Sequence, residues 1–124
     1  RHSTINARQF IDANAYMGVG TDAASPLNFH TEAMWREMSA LVDSGMTPAR
    51  VITAATKSGA EILGKGEELG TIEAGKLADI IIIDGDPLFD INALKYVAVT
   101  IKDGRVWFDK KYTTDALIEL GTAF

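Results

Sequence analysis

Asp22 is the residue whose type and place best suit chemistry. It closes the short run Met17-Gly18-Val19-Gly20-Thr21, which reads as a buried strand ending in a polar side chain. A carboxylate there can take up a proton, or it can cap the loop that follows. On its own residues the cap is the better reading. Imidazoles come only from His2 and His30. His2 reads as a tail residue, and His30 as a surface residue near a helix start. Asp79, Asp84 and Asp86 lie close together, but they lack the spacing and terminal Glu of a calcium loop. They read as turn and strand-edge residues. Ser25, Ser39, Ser44 and Ser58 stand in no nucleophile elbow, and the chain has no Cys for thiol catalysis. Trp35, flanked by Met34 and Met38, reads as packing rather than a substrate box.

The elements that must hold these residues follow from periodicity and punctuation. Residues 4–16 carry Ile5, Phe10 and Ile11 near one face and predict a helix. Ser25-Pro26 marks a loop over 23–30. A second helix is predicted over 31–44, with Thr31 as N-cap, Glu32 at the positive end of the dipole and Gly45 at C′. Its apolar stripe is Met34, Met38, Leu41 and Val42. Thr47-Pro48 starts a third helix, with Thr at N-cap and Pro in the first turn. Val51, Ile52, Ala55, Ile62 and Leu63 are expected to face inward there, and Gly64 to end it. Ala54, Ala55, Gly59 and Ala60 are small enough to permit close packing.

Lys65–Leu69 is a charged loop and the best internal boundary, with helices before it and strands after it. Ala78 to Ile83 then form a continuous apolar run interrupted only by Asp79, which suggests a strand covered on both faces. Asp84-Gly85-Asp86-Pro87 stops it. A helical turn is expected at Asp90–Leu94. Asp103-Gly104 between Tyr96–Lys102 and Arg105–Phe108 is a strong hairpin signal. Thr113–Leu120 suggests a terminal helix.

Bulk properties narrow the function classes. The 124 residues make one domain's length, and 47% apolar with 23% charged residues is ordinary globular composition. A net charge of −5 with no basic block argues against nucleic-acid binding. No apolar run approaches the ~20 residues that span a bilayer, so no membrane partner is expected. The absence of Cys fits a reducing compartment, and a cytoplasmic location is the expectation. The first residue is Arg, not Met, which fits an engineered, processed or partial product.

Four stretches together resemble one family. They are GVGTDA (Gly18–Ala23), GMTPARVITAATKSGAEILG (Gly45–Gly64), GTIEAGKLADIIIIDGDPL (Gly70–Leu88) and VTIKDGRVW (Val99–Trp107). In this order and spacing they resemble the C-terminal part of metal-dependent amidohydrolases, above all imidazolonepropionase-like and prolidase-like members. The resemblance covers about residues 5–108. It implies an α/β fold: the last strand and helices of a (β/α)8 barrel, followed by part of a small β-sandwich. Residues 1–64 would be the barrel piece, 65–112 the sandwich segment and 113–124 a tail.

The resemblance also implies chemistry. Asp22 would sit at the C-terminal end of the last barrel strand, as ligand to zinc or another divalent metal and as general base. His30, in the loop at the barrel mouth, would be placed to contact a small amide or peptide substrate. In the family the other ligands, a His-x-His pair, a Lys or Glu and two further His, lie in the N-terminal and central barrel, and this chain has only His2 and His30 and no His-x-His. Ser58 stands where the family often has Asn. The expected partner is the remaining N-terminal part of such an enzyme. The alternative is a non-catalytic structural or complementation fragment that self-associates.

Overall fold

The computed structural model describes residues 2–24 and 30–112. Helix α1 (His2–Asp12) is followed by an extended stretch, then α2 (His30–Asp43), then α3 (Pro48–Thr53). A π turn (Ala54–Ser58) joins α3 directly to α4 (Gly59–Ile62). Strands β1 (Ile80–Ile83), β2 (Val97–Lys102) and β3 (Arg105–Asp109) form one antiparallel sheet in the order β1-β2-β3, with a 3₁₀ turn (Ile91–Lys95) between β1 and β2. The segment suggested as a terminal helix lies outside the described residues.

The helix ends share one device. Asn14, Gly45 and Gly64 each take a positive φ just past a helix. In each case the next residue's N–H reaches back to a carbonyl five residues earlier: Ala15 to Phe10, Met46 to Leu41 and Lys65 to Ala60. These are Schellman ends, and they satisfy carbonyls that the helix leaves without partners. The Thr47 cap is present, its hydroxyl accepting from Arg50 N–H at 3.4 Å with Pro48 beginning the helix. Thr31 is not the cap of α2. It is the second helical residue, because the helix already begins at His30.

The core lies among the helices. Ile11, Met38, Leu41, Met46, Val51 and Ile91 form it, so α1, α2 and α3 close on one another with the 3₁₀ turn beneath α2. Val51 is fully buried. Two expectations fail at the far end of this helical stretch: Ile62 and Leu63 are 58% and 77% exposed instead of facing inward.

The sheet has edges and a hairpin but no core. The turn residues Asp103 and Gly104 both have positive φ, as a two-residue type I′ hairpin requires. Asp79 holds this turn in place. Its carboxylate accepts from Asp103 N–H at 2.9 Å and from the Lys102 ammonium at 2.7 Å. No residue of the three strands is buried. Ile81 and Ile82 point to opposite faces, yet they are 53% and 50% exposed. The cover that a run of four isoleucines predicts is therefore not supplied by the described residues on either face.

A pH dependence follows from Asp79. The Asp103 N–H and the Lys102 ammonium hold its carboxyl below the ordinary aspartate range. A depressed folded pKa gives stability that is complete above the unfolded value and lost as pH falls through the folded one. The hairpin is thus expected to loosen below about pH 4. Asp79→Asn keeps the acceptor for Asp103 but removes the charge. Its thermal midpoint should fall less between pH 5 and pH 3 than that of the parent chain. Parallel curves for the two proteins would refute the assignment.

Candidate active site

Asp22 sits where an extended segment leaves the helical scaffold. Residues 15–22 form neither helix nor strand, which corrects the expectation for 17–21. A strand needs a neighbour to make a ladder, and none of the described strands lies beside this segment. It is held instead by the helix. Val19 N–H donates to the Ala54 carbonyl at 3.3 Å. Tyr16 donates its hydroxyl to Glu61, and Ser58 hydrogen-bonds the same phenol. The Glu61 carboxylate pushes the Tyr16 hydroxyl above its ordinary pKa, with the Ser58 bond acting in the opposite sense.

Beyond these tethers the backbone turns sharply. Thr21 Oγ1 accepts from Ala23 N–H at 3.3 Å. Asp22 has φ of 47° and Ala24 has φ of 80°. Aspartate tolerates the left-handed region, but for alanine it is uncommon and carries strain of about 1–3 kcal/mol. The Asp22 side chain is exposed.

The other expected residues do not join it. His30 is the first residue of α2, and its side chain, like that of His2 in α1, lies outside what the structure describes. Among the described residues no group of three or more His, Asp or Glu is arranged to hold a metal ion. One carboxylate does not make a catalytic zinc site, which takes about three protein ligands and an open position. The described donor set therefore does not by itself fit the ion. The three aspartates near β1 have structural partners: Asp79 on the hairpin, Asp84 on Lys110 at 2.9 Å, and Asp86 on Leu88 N–H at 2.9 Å.

A concavity of about 310 Å³ lies at the other end of the extended segment, lined by Tyr16, Met17, Met46, Arg50 and Ser58 among others. Asp22 is not among the residues that line it.

Two positioning residues escaped the sequence reading. The Arg50 guanidinium donates to the carbonyls of Ile11 (2.9 Å) and Ala15 (3.0 Å), tying α3 to the end of α1. Lys76, mostly buried, donates to Gly66 O and Thr71 Oγ1, both at 2.6 Å, and closes the loop between α4 and β1. Gly75-Lys76 opens the fingerprint stretch, but nothing in its spacing shows what the ammonium reaches. The half-buried Trp35 ring has two cations near it, Arg36 at 5.0 Å and Lys95 at 4.9 Å.

Comparison with known proteins decides the family. The amidohydrolase family model matches residues 1–107. The chain belongs to the amidohydrolase family. It is 38% identical over 109 residues to an imidazolonepropionase of Thermoplasma volcanium, covering 85% of this chain and 26% of that protein. Among solved structures it is similar to a Xaa-Pro dipeptidase with methionine bound in its active site, with a TM-score of 0.77 and 36% identity over 84% of this chain and 25% of that one. A molinate hydrolase matches with a TM-score of 0.77 and 32% identity, over 86% of this chain and 26% of that one. The imidazolonepropionase-like and prolidase-like resemblance of the four sequence stretches is thereby borne out. This amidohydrolase chain spans about a quarter of the length of the relatives it matches. Among its described residues no helix is long and apolar enough to cross a membrane.

Proposed function

We propose that this chain is the C-terminal part of a metal-dependent amidohydrolase that cleaves C–N bonds in a small amide, cyclic amide or peptide. In that enzyme Asp22 is the general base and one ligand of a divalent ion such as zinc. The observation that carries this reading is the place of Asp22: an exposed carboxylate at a left-handed turn three residues past Val19, in a chain whose family match runs through it. Such a carboxylate can take a proton from an attacking water and return it to the leaving nitrogen. His30, at the start of the helix beyond, is the residue proposed to meet substrate. Residues 1–64 would close a barrel wall and 65–112 would contribute to a sandwich, with 113–124 as a tail. The remaining ligands would come from the N-terminal part of the enzyme. The proposed location is the cytoplasm.

The sheet favours a second reading for the chain taken alone. Three strands with no buried residue, and with two edges that no described strand covers, form a surface that invites association. As a separate molecule, the chain would be a complementation or self-associating fragment. One experiment addresses both readings. Residues 1–124 alone are expected to bind zinc weakly, to hydrolyse no amide substrate and to scatter light as more than a monomer. Stoichiometric tight zinc with turnover would overturn the need for a partner. A strict monomer across a broad concentration range would overturn self-association.

A further inference from the structure

The extended segment before Asp22 is held at successive levels by one short stretch of helix. Tyr16 is bound to Glu61 and Ser58, and Val19 N–H to the Ala54 carbonyl. Between them Gly18 lies directly on the helix. A Cβ placed on Gly18 would stand 3.7 Å from Gly59 Cα, 3.9 Å from Ala54 O and 2.8 Å from Ile62 Cδ1. Ala54 and Gly59 therefore face the same point. In an uninterrupted α-helix, residues five apart would be turned from each other by roughly 140°. Here the π turn Ala54–Ser58 lies between them and widens the helix by about one residue. That extra residue brings Gly59 towards the face where Ala54 receives Val19.

We infer that the π turn is the positioning device for Asp22: it seats Gly18 and Val19, and so sets where the carboxylate leaves the scaffold. This rests on the reading of Asp22 as the functional carboxylate. π turns occur mostly as single turns, frequently at functional sites. The left-handed residues Asp22 and Ala24 lie three and five residues past Val19, so the backbone strain falls where placement of the carboxylate matters. Gly18 is a positioning residue on the strand side, and Gly59 is its counterpart on the helix.

The test uses the whole chain and backbone NMR, with no need for activity. In the parent chain the Val19 amide is expected to exchange slowly, and Asp22 to show the couplings and carbon shifts of a left-handed residue. Deleting Lys57, an exposed member of the π turn, removes the extra residue. Val19 exchange should then accelerate about five- to tenfold, the value of one net hydrogen bond, and Asp22 should lose its left-handed signature. The amides of Val51 and Ile101 should be unaffected. Gly18→Val, which leaves the helix sequence intact, should give the same two changes. Gly18→Ala should largely restore both, because the nearest obstacle is the flexible end of exposed Ile62. The inference is overturned if Val19 is unprotected in the parent chain, or if the folded Lys57 deletion or the folded Gly18→Val variant leaves Val19 exchange and the Asp22 signature unchanged. None of these readouts depends on what Asp22 does chemically. Loss of the catalytic reading would leave the positional result standing, and the reverse also holds.

Discussion

Exchanging Asp22 for Asn is expected to lower kcat by about 10²–10⁴-fold, the contribution of a well-placed general base. The measurement needs an active enzyme. A suitable one is an imidazolonepropionase in which residues 1–107 of this chain replace the matching segment, since the 38% identity to the Thermoplasma volcanium protein makes that graft plausible. Asn is the informative substitution. It matches Asp in shape and is the other residue that tolerates the left-handed φ of 47°. It also keeps an oxygen, but it cannot take up a proton near neutrality. Asp22→Ala would confound lost chemistry with backbone strain. If Asp22 is the base, the Asn variant should lose kcat and kcat/KM together, because the missing interaction belongs to the transition state. A kcat within about twofold of the parent graft would remove Asp22 from the mechanism and return it to the bland reading of a loop cap.

What the sequence could reveal was local. Thr47-Pro48, Gly45, Gly64 and Asp103-Gly104 each impose a backbone geometry through their own stereochemistry, and each occurs where that geometry is needed. Asp90 likewise caps the 3₁₀ turn that was expected from its neighbourhood. The misses are matters of context. Ile62 and Leu63 fit an apolar helical face, yet both are exposed among the described residues, and no residue in Ala54–Ser58 announces the π turn before them. Met17–Thr21 has the composition of a strand, yet strand status belongs to a pair of segments, and the described residues supply no partner. The four isoleucines of β1 predict cover on two faces, and among the described residues Ile80 and Ile83 are only half-buried and Ile81 and Ile82 stay exposed. In each case the local pattern is sound and what it lacks is a neighbour.

The same distinction separates fingerprint from chemistry. Gly70–Leu88 is the most recognisable stretch of the chain, and its polar residues hold structure together. Lys76 closes its loop on Gly66 and Thr71, and Asp79 clamps the hairpin turn. Gly70 lies so close to the helix that a Cβ there would stand 2.7 Å from the Ala60 Cβ. The candidate catalytic residue belongs to a much plainer stretch, GVGTDA. Its meaning comes from where the scaffold puts it: three residues past Val19, whose N–H is held by the π turn.

That scaffold depends on Arg50, and its removal should produce the largest loss of stability among single polar substitutions. The guanidinium reaches two carbonyls at the C-terminal end of α1, where the helix dipole favours a cation. Ile11 O also accepts from Asn14 N–H, so both its lone pairs are used. Hydrogen bonds from a charged donor contribute about 1.5–3 kcal/mol each. Because Arg50 is only half-buried, a combined cost of about 2–4 kcal/mol is expected for Arg50→Met, which keeps much of the stem and its packing. Arg50→Lys should recover a minority of the loss, because one ammonium keeps the charge near the dipole but does not reproduce a fork spanning both carbonyls. Denaturant unfolding reads the effect as a lower midpoint at unchanged slope. The loss should also be visible upstream of Asp22, because Ala15 O is one of the two anchors and the extended segment begins there. A shift below about 0.5 kcal/mol, the range of an ordinary surface substitution, would mean that α1 and α3 are held by Ile11, Met46 and Val51 alone.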